Sequence, residues 1–159
     1  MKSKGMLKYS RLLMLILLGL LIQATSFSQS KYIKKYKPIA DSLGMIYGIP
    51  PEVILGVAII ESSSGTSKNC KLLNNHFGIT GKNNLWETKK IKTRYKQYPT
   101  IEASYADFCK LVSKREFYSK LKGNPKYQKW IDAISKSGYS EQPEVWKKKV
   151  NDAIMNNKL

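Results

Sequence analysis

Sixteen residues, PPEVILGVAIIESSSG from Pro50 to Gly65, limit what this chain can fold into more than any other stretch. Val53, Ile54, Leu55, Val57, Ala58, Ile59 and Ile60 make the segment apolar on nearly every side. A helix of that kind has to be surrounded by other elements rather than laid on a surface. Pro51 suits the first helical turn, where its missing N–H costs nothing, and Glu52 suits the positive end of the helix dipole. Ser62 to Gly65 end the run, with Gly65 expected as a left-handed cap. The pattern predicts one buried central helix with the remaining elements packed around it.

Glu61 closes that helix. It follows Val57 by four residues and Ile54 by seven, so it falls on the same stripe as the apolar contacts. Burial and the negative end of the dipole both disfavour an ionised carboxylate, which moves its pKa upward. A general acid working near neutral pH needs that shift. The same spacing also fits a helix-end glutamate that turns to solvent or pairs with a lysine.

The chain has 159 residues, enough for one domain preceded by a targeting segment. Lys2, Lys4, Lys8 and Arg11 form a basic start, and Leu12 to Ile22 is an unbroken apolar run followed by small residues. That run is too short to span a bilayer comfortably, so residues 1–28 read as a secretory signal peptide and 29–159 as the exported domain. The expected location is the periplasm, outer envelope or extracellular space. The formal net charge is +17, and without the four leader cations +13 remains on residues 29–159. Such a surface attracts polyanions. For an exported protein these are anionic envelope polymers; no zinc-finger spacing or nucleic-acid module accompanies the lysines, so no specific nucleic acid is expected. A basic surface that only aids solubility fits the same charge.

Cys70 and Cys109 are the only cysteines. An even pair in an oxidising compartment points to a disulfide, with two free buried thiols as the alternative. His76 is the only histidine, and no ligand spacing surrounds it, so neither a metal nor an organic cofactor is expected.

Residues 31–48 have helical spacing, with Pro38 marking a start or a kink. Lys68 to Asn75 reads as a short helix or loop. Gly81 to Asn84 is turn-rich, and Ile91, Thr93 and Tyr95 alternate with basic residues, which predicts a small hairpin ended by Pro99. Thr100 caps an amphipathic helix in IEASYADFCKLV. Two further helices are expected at 125–135 and 143–154. The fold class is mainly α (α+β), a helical domain with a small β-hairpin lobe, and a monomer is expected.

Four strings occur in order along the exported part: ESSSGTS, NNHFGITGK, YKQYPTIEASYADF and SGYSEQPEVWKKKVNDAI. Their order and spacing resemble glycoside hydrolase family 73, the bacterial β-N-acetylglucosaminidase domains of autolysins and flagellar wall hydrolases. The resemblance runs from about Tyr32 to the C-terminus and implies a lysozyme-like fold acting on peptidoglycan glycan strands. It implies that Glu61, in place of the glutamate of an ESGWG-like motif, is the general acid. Ser64 stands where the family often has Trp. Asn74, Asn75, Phe77, Gly78 and Ile79 match an NNxFGI segment that walls the substrate groove, and Tyr139 matches the tyrosine of a GYATDP motif facing the active site.

Ordinary roles fit these residues too. Asn74 and Asn75 can turn the chain, Phe77 and Ile79 can be core, and Tyr139 can be one of ten packed tyrosines. Glycosidases usually employ two carboxylates. The family tends to place its second in the hairpin lobe, where this chain offers only Glu87, a candidate general base or a solvated partner of nearby lysines. Substrate-assisted chemistry through the sugar's own acetamide would dispense with it. The expected activity is cleavage of the β-1,4 bond between N-acetylglucosamine and N-acetylmuramic acid. The alternatives are a lytic transglycosylase or muramidase on the same scaffold, or a wall-binding module without turnover.

Overall fold

The helix that dominates the sequence is also the centre of the structure, a computed structural model that describes residues 29–159. The segment read above as a leader lies outside the described residues. Helix α1 covers 29–47 and α2 covers Pro51–Ser62. Then come α3 (Lys68–Leu73), α4 (Leu85–Lys89), α5 (Ile101–Ser113) and α6 (Tyr118–Leu121). The chain closes with α7 (Tyr127–Ile134), a π-turn at Ser135–Tyr139, and α8 (Pro143–Asn157). Among the described residues no helix is long and apolar enough to cross a membrane.

Every residue of α2 from Val53 to Ile59 is buried, as its unbroken apolar run requires. Among helices α2 to α8 it packs most against α8, which turns a stripe of Trp146, Val150, Ala153 and Ile154 inward. Gly56 makes that approach possible: a Cβ there would sit 2.7 Å from Ile154 Cγ1. α1 contributes Tyr32, Tyr36 and Ala40, four residues apart on one face. Pro38 lies inside this helix rather than at its start, since packing of an apolar face outweighs one lost backbone hydrogen bond. The end of α2 also departs from expectation: its left-handed cap is Ser63, with φ +50°, ahead of Gly65. Thr100 caps α5 as expected, its hydroxyl accepting from Ala103 N at 3.2 Å.

The β-hairpin lobe is not formed. Among the described residues no strand is present, and the excursion between α3 and α5 holds a single antiparallel bridge, Thr80 with Tyr95. Three backbone bonds also cross it, Gly81 N to Arg94 O (2.9 Å), Lys96 N to Ile79 O (2.8 Å) and Gln97 N to Lys82 O (3.0 Å), and side-chain amides add to them. Asn83 Nδ2 donates to the carbonyls of Thr93 (3.0 Å) and Tyr95 (2.9 Å), and Asn75 Nδ2 donates to those of Ile79 and Lys96 (both 2.8 Å). The alternation at Ile91, Thr93 and Tyr95 therefore marks an extended arm without a partner strand, and Leu85–Lys89 coils into α4 opposite it. Asp107 on α5 anchors the arm through Lys96 (2.6 Å) and the Tyr98 hydroxyl (2.8 Å).

The expected disulfide is also absent: Cys70 and Cys109 are free, buried thiols. Cys70 is engaged elsewhere, its Sγ 2.9 Å from His76 Nε2. The other ring nitrogen of His76 is 2.6 Å from the Tyr32 hydroxyl, which lies 2.9 Å from Tyr105 OH and 3.2 Å from Ser62 Oγ. Burial holds this cluster neutral, lowering the His76 imidazole to about 4 and raising the Cys70 thiol to about 11. His76 is thus a satisfied core residue. It ties α1, α3 and α5 to the turn that follows Glu61.

Candidate active site

The site is built where the C-terminal end of α2 meets the first turn of α8. Glu61 occupies the last turn of α2, half-buried, and its Oε1 accepts a 2.8 Å hydrogen bond from the indole N–H of Trp146. Pro143 starts α8 at its first helical position, and that register brings Trp146 over the end of α2. Burial raises the Glu61 carboxyl above its ordinary range, while the Trp146 N–H and the nearby Lys149 ammonium partly oppose the shift. A carboxyl that binds its proton more tightly than usual and is aimed by a fixed donor is equipped to protonate a leaving oxygen.

Glu61 opens into a groove of about 460 Å³. Gly78, Arg94 and Tyr95 line it from the excursion, Tyr139, Ser140, Glu141 and Gln142 from the segment before α8, and Val145, Trp146 and Lys149 from α8 itself. Gly78 belongs there for a conformational reason. Its φ is +64°, so a side chain would strain the backbone, and a Cβ would touch Glu61 Oε2 at 3.4 Å. A larger cleft, about 650 Å³, lies between the end of α5 and α7. Its Asp132 is tied to Lys136 (2.7 Å) and Lys147 (3.1 Å), which leaves it ionised and unsuited to acid catalysis.

Tyr139 reaches the groove where the chain leaves α7, in a π-turn with Gly138 in the left-handed region at φ +76°. Its hydroxyl donates to the Phe77 carbonyl at 2.8 Å, and its ring packs against Trp146 at 5.4 Å between centroids. Burial and then the Glu61 charge push its pKa well above 10, so it stays a neutral phenol. It braces Phe77 and Gly78 and leaves its oxygen free to accept.

The remaining predicted residues divide differently from expectation. Asn75 is buried, donating to two carbonyls and accepting from the N–H groups of Phe77 (3.3 Å) and Ile79 (3.2 Å). Asn74 caps α3 in a left-handed conformation and donates to the Tyr98 carbonyl at 3.0 Å. Neither asparagine lines the groove. Phe77 is core, stacked on Phe108 at 4.4 Å, and Ile79 packs against that core. Of the NNxFGI positions only Gly78 meets the groove; the others hold it in place. Glu87 stands exposed on α4 and does not line the groove. Among the described residues no three His, Cys, Asp or Glu side chains gather as a metal site would need.

Comparison with known proteins gives the family. The family described as mannosyl-glycoprotein endo-β-N-acetylglucosaminidase matches residues 37–159. The chain belongs to this glucosaminidase family, glycoside hydrolase family 73. That family is one of glycoside hydrolases. The peptidoglycan hydrolase FlgJ of Vibrio cholerae is 25% identical over 144 residues, an alignment covering 77% of this chain and 42% of FlgJ. The chain therefore spans less than half the length of that relative. The catalytic domain of the autolysin Auto from Listeria monocytogenes is similar in structure, with a TM-score of 0.67 and 23% identity over 82% of this chain and 85% of that one. The glycoside hydrolase domain of FlgJ from Salmonella typhimurium gives 0.64 and 19% over 82% and 88%. At these identities the likeness speaks for the fold, and the chemistry rests on the side chains.

In this family 73 domain the residue that sequence reasoning missed is Trp146. It lies 85 positions from Glu61, and no periodicity links the two. Its presence in the SGYSEQPEVW string was the one available signal. Trp146→Phe removes the N–H that favours ionised Glu61. The Glu61 pKa rises further, so the alkaline limb of kcat moves to higher pH, while lost orientation lowers kcat/KM roughly 10-fold or more. A pH–rate profile of the variant checks the direction; an unmoved limb would detach Trp146 from the acid.

Proposed function

We propose that this protein is an exported endo-β-N-acetylglucosaminidase that cuts the β-1,4 bond between N-acetylglucosamine and N-acetylmuramic acid in peptidoglycan. The observation that carries the reading is Glu61, half-buried at the edge of an open groove and held by the Trp146 N–H. The acid protonates the leaving oxygen, and the new reducing end is N-acetylglucosamine. Relatives named as a peptidoglycan hydrolase and an autolysin support the choice of substrate. An open groove suits a polymer better than a closed pocket would. Export through the 1–28 leader puts the protein beside its substrate, and a +13 domain is drawn to an anionic wall by long-range attraction.

Digestion of purified sacculi by the wild type and by Glu61→Gln, followed by borohydride reduction and mass spectrometry, tests the proposal. Reduced N-acetylglucosamine ends from the wild type alone are expected. Anhydro-muramic ends would make it a lytic transglycosylase, and reduced muramic ends a muramidase. Binding of sacculi by both proteins with no fragments released would leave a wall-binding module.

A further inference from the structure

We infer that Glu141, and not Glu87, is the second carboxylate of this active site, the base that takes a proton from the attacking water. The inference rests on reading the groove as a glycosidase site. The chain has eleven acidic residues, all within 29–159. Five of them, Asp41, Asp107, Asp132, Glu144 and Asp152, are paired with lysines. Glu102 is held at the start of α5 by Thr100 and its own backbone. Of the rest, only Glu61 and Glu141 line the groove.

Their surroundings differ as an acid and a base require. Glu61 is half-buried and fixed by an indole N–H. Glu141 is exposed on the short segment that joins Tyr139 to α8, and among the described residues it makes no ion pair or side-chain hydrogen bond. Its immediate neighbours organise that segment instead, Ser140 Oγ accepting from Gln142 N at 3.2 Å. Two carboxyl groups in unlike settings on one groove divide the work of protonating and deprotonating. The expectation for Glu87 came from where the family carries its second acid, in a hairpin lobe that this chain does not form.

The step balances without a further reagent. The water oxygen attacks the anomeric carbon as Glu141 accepts one of its protons. The bond from that carbon to the leaving oxygen breaks, its electron pair going to the oxygen, which takes the proton of Glu61. Solvent then returns a proton to Glu61 and removes one from Glu141. Direct attack by water inverts the centre, so a β-linked sugar leaves as the α-anomer.

The test compares wild type, Glu61→Gln, Glu141→Gln, Glu141→Ala and Glu87→Gln on purified glycan strands, with NMR of the first-formed reducing end. Glu141→Gln should lower kcat about 100-fold or more with KM within about twofold, while Glu87→Gln stays within about twofold of wild type. Because Glu141 is exposed and unpaired, its thermal midpoint should not move. Azide should restore turnover to Glu141→Ala by about 10-fold or more, which no structural role would produce, and the wild-type product should be α. Near-wild-type turnover by Glu141→Gln, or a β product, overturns the assignment. If Glu61→Gln is inactive while Glu141→Gln works, only Glu141 is displaced. If wild type and Glu61→Gln behave alike, the glucosaminidase reading fails and this inference goes with it.

Discussion

Glu61→Gln should lower turnover by about 10²- to 10⁴-fold while leaving a protein that is more stable than the wild type at neutral pH. Glutamine keeps nearly the same volume and still offers an oxygen to the Trp146 N–H at the position where Oε1 now accepts it at 2.8 Å. It has no proton to give, so the chemical step loses its acid and KM changes little. The stability gain follows from the raised pKa of Glu61, whose largest cause is burial. A carboxyl that binds its proton more tightly when folded contributes stability that is fully present below about 4.5, the ordinary value. That contribution is lost as pH rises through the raised value, because the folded protein must then hold a buried charge. Glutamine does not titrate. The melting-temperature advantage of Glu61→Gln should therefore be smallest near pH 4 and grow toward neutrality, and wild-type kcat should fall over the same interval as the acid deprotonates. Thermal melts and a pH–rate profile read both effects. An active variant would show that Glu61 is not the acid, and a melting difference that ignores pH would show that burial does not strain it.

Local patterns and buried contacts were legible in the sequence to different degrees. The central helix could be read because burial on every side leaves an unbroken apolar run and a proline at its start. The helix from Ile101 could be read because Thr100 caps it and Tyr105, Phe108 and Val112 face the core. Glu61 was reachable for the same reason: it lies on the stripe that packs. Features that depend on distant partners were not reachable. Nothing local tells that the Trp146 indole meets a carboxylate on another helix, or that Cys70 meets His76 rather than Cys109. The excursion misled because an alternating arm usually has a partner strand, whereas here a few backbone bonds around one bridge, with the side chains of Asn83 and Asn75, join the two arms without forming one. The NNHFG string looked like a substrate wall, yet an asparagine that turns inward and one that meets a sugar read alike.

Asn75→Ala should destabilise the protein by about 3–4 kcal/mol and lower its melting temperature by roughly 10–15 °C. Asn75 is 1% exposed and uses both ends of its amide. Removing it strips the side-chain partner from the Lys96 carbonyl and from the N–H groups of Phe77 and Ile79. The Ile79 carbonyl fares better, because Lys96 N still donates to it at 2.8 Å. Each buried backbone group left without a partner costs about 1–3 kcal/mol, less whatever an entering water recovers. Asn75→Asp separates the two ends: it keeps the acceptor for Phe77 and Ile79 but loses the donors to Ile79 and Lys96. A direct role in holding the sugar's acetamide predicts the opposite pattern, a raised KM with an unchanged melt. Chemical denaturation of both variants beside steady-state kinetics distinguishes these outcomes, and a melt within about 3 °C of wild type for Asn75→Ala would return the residue to the substrate. The consequence for activity runs through position. Asn75 holds Phe77 and Ile79, the Tyr139 hydroxyl rests on the Phe77 carbonyl, and Gly78 lies between them against Glu61. Loosening that loop should lower kcat in step with stability, and lower temperature should recover both together.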